Sequence, residues 1–93
     1  MNQATITFAE IISGARIIPL TKGQIAIVDA EDFEEVNRHK WCHHKRGYAT
    51  SNKWKEGKWE MRYMHRMVNK TPKGFDTDHR DGNKLNNRRF NLR

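Results

Sequence analysis

The chain of 93 residues holds a single cysteine, Cys42. An internal disulfide is therefore excluded, and a reducing compartment is the natural setting. No apolar run approaches the length of a membrane span. The opening residues, Met1-Asn2-Gln3-Ala4-Thr5, lack both the basic start and the long apolar stretch of a secretory signal. The resulting expectation is a cytoplasmic protein with no membrane partner. Internal repeats and low-complexity runs are missing as well. Hydrophobic residues are scarce, 35% against 31% charged. One small domain of this composition has little core to bury, and burial is expected to lean on aromatics such as Trp41, Trp54 and Trp59.

What the chain has in excess is positive charge, a formal +7. That balance favours a polyanionic partner, nucleic acid before membrane, over a charge that serves solubility alone. The charge is also uneven. Residues 1–37 carry two cations against six acids, residues 38–61 seven against two, and residues 62–93 nine against three. The partner surface is thus expected in the later part of the chain.

Local patterning predicts an α+β fold. Thr5-Ile6-Thr7-Phe8 alternates like a short strand, and Ile11-Ile12 and Ile17-Ile18-Pro19-Leu20 follow. Gly14 and Pro19 exclude one long helix here. Thr21-Lys22-Gly23 reads as a turn and Gln24 to Asp29 as a β-branched strand. A short acidic helix is predicted from Glu31 to about Asn37, its first-turn acids suiting the helix dipole. Phe33 and Val36 would form its buried face. Strands are then predicted over Lys40–Lys45, Tyr48–Lys53 and Trp59–Tyr63, with turns at Arg46-Gly47 and Glu56-Gly57-Lys58. This is an antiparallel meander with aromatics on one face and lysines and arginines on the other. Met64 to Val68 suits a short helix, and Thr71-Pro72-Lys73-Gly74 breaks it.

The last residues carry the chemistry. Asp78 offers a hard-cation oxygen ligand, and His79 beside it is a base near neutral pH. In an extended segment adjacent side chains point to opposite faces, so a local twist or the following loop would be needed to aim both at one phosphate. The pair alone is also what two surface polar residues in a loop would look like. Its context adds weight: Asp81-Gly82-Asn83 is a tight-turn sequence, and a buried Asn91 could bond backbone groups and hold the loop in shape.

Taken together, Met64-His65-Arg66-Met67-Val68, Pro72-Lys73-Gly74, Asp78-His79, Asp81-Gly82-Asn83, Asn87-Arg88-Arg89 and Asn91-Leu92-Arg93 resemble the HNH endonucleases. The nearest group is the phage and intron-associated homing or nicking endonucleases. The upstream Ile18-Pro19-Leu20-Thr21-Lys22-Gly23, Ala26-Ile27-Val28-Asp29 and Lys40-Trp41 are similar to the region preceding the motif in that group, so the likeness spans roughly residues 18–93. It implies that Asp78 ligates one divalent metal, Mg2+ or Mn2+, that His79 is the general base activating water, and that Asn91 is the structural central asparagine. It further implies hydrolysis of double-stranded DNA, no small-molecule substrate, and a setting in a bacterial or phage-infected cell. The family fold is a ββα-metal finger with Asp-His on its first strand and a further ligand on its helix. That last motif residue would fall after Arg93. The expected architecture is therefore a β-rich basic region over 18–63 followed by an incomplete finger over 64–93, with weak or no activity in this chain.

Three further constellations remain. Lys40, Lys45, Arg46, Lys53, Lys55, Lys58, Arg62 and Arg66 are interleaved with Trp41, Tyr48, Trp54 and Trp59. Such a ribbon suits phosphate contacts and can enter a major groove. Arg80, Lys84, Arg88 and Arg89 extend the set. The alternative is a solvated face over an aromatic core, with the tryptophans packing rather than stacking on bases. His39, Cys42, His43 and His44 are poorly spaced for a closed zinc site and read as an amphipathic strand. His65-Arg66 suits either a phosphate contact and a buttress for the site, or plain packing. A DNA-binding module without catalysis, or an RNA-binding β-rich domain, would share this charge footprint.

Overall fold

The computed structural model describes residues 14–93. The strand expected at Thr5–Phe8 and the Ile11-Ile12 pair lie outside that range. Over these residues the protein is α+β, built from two antiparallel sheets and two short helices. No helix among the described residues is long and apolar enough to cross a membrane.

The first sheet is a hairpin of β1 (Ala15–Pro19) and β2 (Ile25–Asp29), joined through a 3-10 turn at Thr21–Gly23. Pro19 is tolerated because it closes β1, an edge strand of this two-stranded sheet. Ala26, Ile27 and Val28 are all buried, the pattern of a strand covered on both faces rather than one. The edge of β2 away from β1 is filled from far along the chain. Ile27 donates its N–H to Leu85 (2.8 Å) and accepts one from Asn87 (2.8 Å), so residues 85–87 run beside β2 as a parallel bridge. Leu85 is 1% exposed and joins the same core as Ile18, Ile27, Val36 and Met64.

Helix α1 (Ala30–Val36) follows β2 directly, with Glu31 and Asp32 in its first turn. Acids there favour the positive end of the helix dipole. Asp29 stands at the N-cap, yet its carboxylate makes no cap bond. It accepts instead from Arg88 Nε (2.8 Å) and the Arg89 backbone N–H (3.0 Å). Arg89 reaches Asp32 with two bonds, 2.6 and 2.9 Å. At the other end of α1 the buried Trp41 donates its indole N–H to the Val36 carbonyl at 2.7 Å, satisfying one of the helix's orphan acceptors. Val36 is buried as expected, and Phe33 packs against the core from a partly buried position.

The second sheet is the expected meander, β3 (Cys42–His43), β4 (Ala49–Lys55) and β5 (Lys58–Tyr63) in that order. The predicted Lys40–Lys45 strand shrinks to the two residues that pair with Ala49 and Thr50. Its flanks serve other bonds: Trp41 caps α1, and the His43 backbone N–H donates to the Thr21 hydroxyl at 3.0 Å. Glu56 and Gly57 both take positive φ, 50° and 82°, the backbone that matches a two-residue loop to the strand twist. The facial segregation is present, but its aromatic side is not core. Trp41 is buried, whereas Trp54 and Trp59 are 57% and 67% exposed, because the outer ribbon extends past anything that could cover it. Helix α2 (Met64–Asn69) buries Met64 and Val68 and ends at Lys70 in the left-handed region.

The Arg88–Asp29 pair is the buried ion pair of this frame, with side chains 10% and 18% exposed. Arg88→Met leaves the Asp29 carboxylate buried without its main partner. The expected cost is about 3 kcal/mol, a fall of roughly 10–20 °C in melting temperature for a domain this size, read by circular dichroism. The half-exposed Arg89 replaced by Met should shift it much less.

Candidate functional site

The site is built on a strand-like pair between residues 78–80 and 91–93. Asp78 and Arg93 exchange backbone bonds at 2.8 and 3.1 Å, Arg80 donates to the Asn91 carbonyl at 2.8 Å, and His79 lies opposite Leu92. Period-two alternation then separates the acid from the histidine. Asp78 is exposed, its side chain 69% accessible, and its carboxylate keeps one long contact to Arg93 at 3.3 Å. His79 turns inward and is 6% exposed.

Asp78 opens on a cleft of about 520 Å³ whose other lining residues are Tyr48, Tyr63, His65, Arg66, Asp76 and Thr77. His79 lies behind that wall, its ring 5.0 Å from His65 and 6.1 Å from Tyr48. Tyr48 stacks on His65 at 5.0 Å, and Tyr63 meets His65 edge-on at 5.5 Å. His65 Nδ1 is buried without a partner. Burial, then the neighbouring His79 and Arg66, push the His65 pKa down to about 4. His65 is therefore neutral at pH 7.

One atom of His79 is committed. Its Nε2 is 2.7 Å from Asn87 Oδ1. An amide oxygen only accepts, so Nε2 carries the proton and the lone pair of the neutral ring resides on Nδ1. Asn87 is 0% exposed and is fixed by the bridge to Ile27. Its role was invisible in the sequence, because the eight-residue separation from His79 has no meaning until Leu85 is docked on β2.

The intervening loop is held by Asn91. Its amide donates to Asp81 Oδ1 (2.9 Å) and the Asn86 carbonyl (2.8 Å), and its oxygen accepts from the Asp81 N–H (3.1 Å). Asp81 also accepts from the Asn83 N–H at 2.8 Å and from the Asn86 amide at 2.9 Å. Partial burial raises the Asp81 pKa, but the bonds from Asn86, Asn83 and Asn91 outweigh it and hold the carboxyl below its ordinary value.

The cations expected on a phosphate-contacting surface divide into two groups. Lys45, Arg46, Lys53, Lys55, Lys58, Arg80 and Lys84 are exposed, although Lys84 also donates to the Arg46 carbonyl (2.8 Å) and sits over the Tyr48 ring. The others are engaged internally. Arg88 is buried on Asp29, and Arg89 is bound to Asp32. Arg62 meets His39 Nδ1 at 3.0 Å. Arg66 donates to the Phe75 and Pro72 carbonyls at 2.7 and 3.3 Å, pinning the loop after α2. Asp29, Glu31 and Asp32 bring carboxylate oxygens within 4.8 Å of one another, but Arg88 and Arg89 occupy that acidic cluster from the same side of the fold.

No family model matches the chain, and no solved structure matches it. Among curated proteins, the chain is 36% identical over 75 residues to an uncharacterized HNH endonuclease of Acanthamoeba polyphaga mimivirus. The match covers 77% of this chain and 39% of the viral protein, so the chain spans about two-fifths of that relative's length.

Two consequences can be measured. Asn91→Ala removes three bonds from the loop, taking their partner from the Asp81 N–H and the Asn86 carbonyl, with an expected loss of about 2–3 kcal/mol in urea unfolding. His65 is a base whose pKa is lowered on folding, so the unfolded chain binds more protons between pH 6.5 and about 4. Stability should fall as pH drops through that window. His65→Phe should remove that component and flatten the pH dependence of the melting temperature.

Proposed function

We propose that this chain carries an HNH-type endonuclease site, hydrolysing phosphodiester bonds in duplex DNA by nicking or cleavage. The observation that carries the reading is the His79 imidazole, with Nε2 spent on Asn87 and a lone pair left on Nδ1. The similarity to the mimiviral protein supports it. So does the excess of exposed lysines and arginines on the ribbon and loops, which suits a polyanion.

In this reading His79 Nδ1 takes the proton from the water that attacks phosphorus, and the bond to the 3′ oxygen breaks. Asn87 fixes the tautomer and ring orientation. Its amide oxygen also stabilises the imidazolium that results. The donor set fits a hard divalent cation, Mg2+ or Mn2+: Asp78 is an exposed carboxylate on the cleft wall, with Asp76 beside it and only a long contact to Arg93. Such an ion held by Asp78 would polarise the scissile phosphate and stabilise the departing 3′ oxygen.

A second reading is a nucleic-acid-binding module without catalysis. It is favoured by one observation, that Asp78 opens on the cleft while His79 lies behind its wall. Supercoiled plasmid with Mg2+ or Mn2+ separates the two, using this chain and a version continued past residue 93. The nuclease reading expects nicking by the longer form, lost in chelator and slowed about a hundredfold or more by His79→Ala. Retained binding in chelator with no nicking by either form establishes the second.

A further inference from the structure

The largest exposed aromatic surface lies outside the cleft but is continuous with it. The β4–β5 register sets Thr50 opposite Tyr63, Asn52 opposite Met61, and Trp54 opposite Trp59. With period-two alternation these six share one face of the ribbon. Tyr63 lines the cleft beside Asp78, so the face runs from the cleft through Met61 to the tryptophans. Met61 is 45% exposed, Trp54 57% and Trp59 67%. The two indoles meet edge to face, 5.2 Å apart at 71°. That arrangement covers one face of one ring and leaves the others to solvent. The opposite side of the ribbon carries Lys53 across from Glu60, Lys55 across from Lys58, and Arg62.

Part of this can be explained by the hairpin alone, since a cross-strand aromatic pair stabilises it. Local pairing does not account for a stripe that leads back to the cleft. Self-association by this face would join two chains that each carry a charge of +7, which repel. A nucleic-acid strand meets both demands, since its phosphates suit a chain of charge +7 and its bases offer flat apolar rings to the indoles. Base faces are hidden inside a duplex and are displayed only where bases are unpaired or turned out.

We propose that the Trp54–Trp59 face of the ribbon is a stacking track for unpaired bases of the strand that enters the cleft. Lys53, Lys55 and Lys58, on the other side of the ribbon, add to the positive field around it. The track rests on the cleft being the nucleic-acid site described above, but it makes its own binding prediction, independent of cleavage.

The test is a fluorescence titration in chelator with an oligothymidine, an abasic oligomer of equal length, and a blunt duplex. Oligothymidine should quench tryptophan emission and bind at least about tenfold more tightly than the abasic oligomer. Trp54→Val with Trp59→Val keeps a β-branched cross-strand pair and leaves buried Trp41 as a reporter of the fold. It should remove that preference while circular dichroism stays unchanged. Replacing Lys53, Lys55 and Lys58 by Gln should weaken both oligomers alike and reduce the salt dependence. Equal affinity for the oligothymidine and the abasic oligomer overturns the proposal, as does parental binding by the double valine variant. Dimerisation or anionic-vesicle binding that depends on the two tryptophans, without the base preference, also overturns it. So does the absence of binding to every oligomer. Base-dependent binding with no plasmid nicking in Mg2+ would uphold the track and sink only the nuclease reading.

Discussion

Everything at the candidate site hangs on the seam where residues 85–89 dock against β2 and α1. Two backbone bonds to Ile27, the burial of Leu85 and the Arg88–Asp29 pair act on one short stretch. None would suffice alone. The backbone bonds set the register, Leu85 supplies apolar burial worth roughly 2 kcal/mol, and the guanidinium neutralises a carboxylate that would otherwise be costly to bury. Asp29 is diverted from capping its own helix to do this. The helix start is held by a tertiary contact in place of a local one.

The seam explains how two asparagines come to do different work. Asn87 follows the bridge inward and orients His79. Asn91 lies beyond the turn of the loop and ties Asp81 to Asn86. One sets the direction of a ring, and the other sets the shape of the loop that separates the two strands. The aromatic wall of Tyr48, Tyr63 and His65 comes from the other sheet and from α2. The cleft is thus the place where the meander meets the C-terminal strand pair.

The local elements were legible in the sequence because their signals are local. The β2 strand, the acidic helix, the meander with its turn at Glu56-Gly57 and the helix at Met64 appear within a residue or two of expectation. What was not legible depends on partners distant in sequence. Arg88 and Arg89 look like free cations until Asp29 and Asp32, some 57–60 residues earlier, are placed beside them. Arg66 looks like a phosphate contact until the Phe75 carbonyl is found under it. Trp54 and Trp59 have the composition of core residues, and only the length of the ribbon reveals that nothing covers them. Asp78 and His79 could be read as neighbours with complementary chemistry. Which surface each faces could only be read from the fold.

The parallel bridge between Ile27 and Asn86 also governs the order in which the molecule can assemble. Closing a loop of about sixty residues costs entropy that grows slowly with length but must be met before the contact gives anything back. The hairpins close through short turns and can form before it. The histidine's orientation cannot, since it waits for a contact between segments nearly sixty residues apart. A chain caught partway would hold its secondary structure and its basic surface while the His79 ring was still unaligned. The basic surface would then be in place before the ring is aligned, and this ordering is set by topology rather than by any residue of the site.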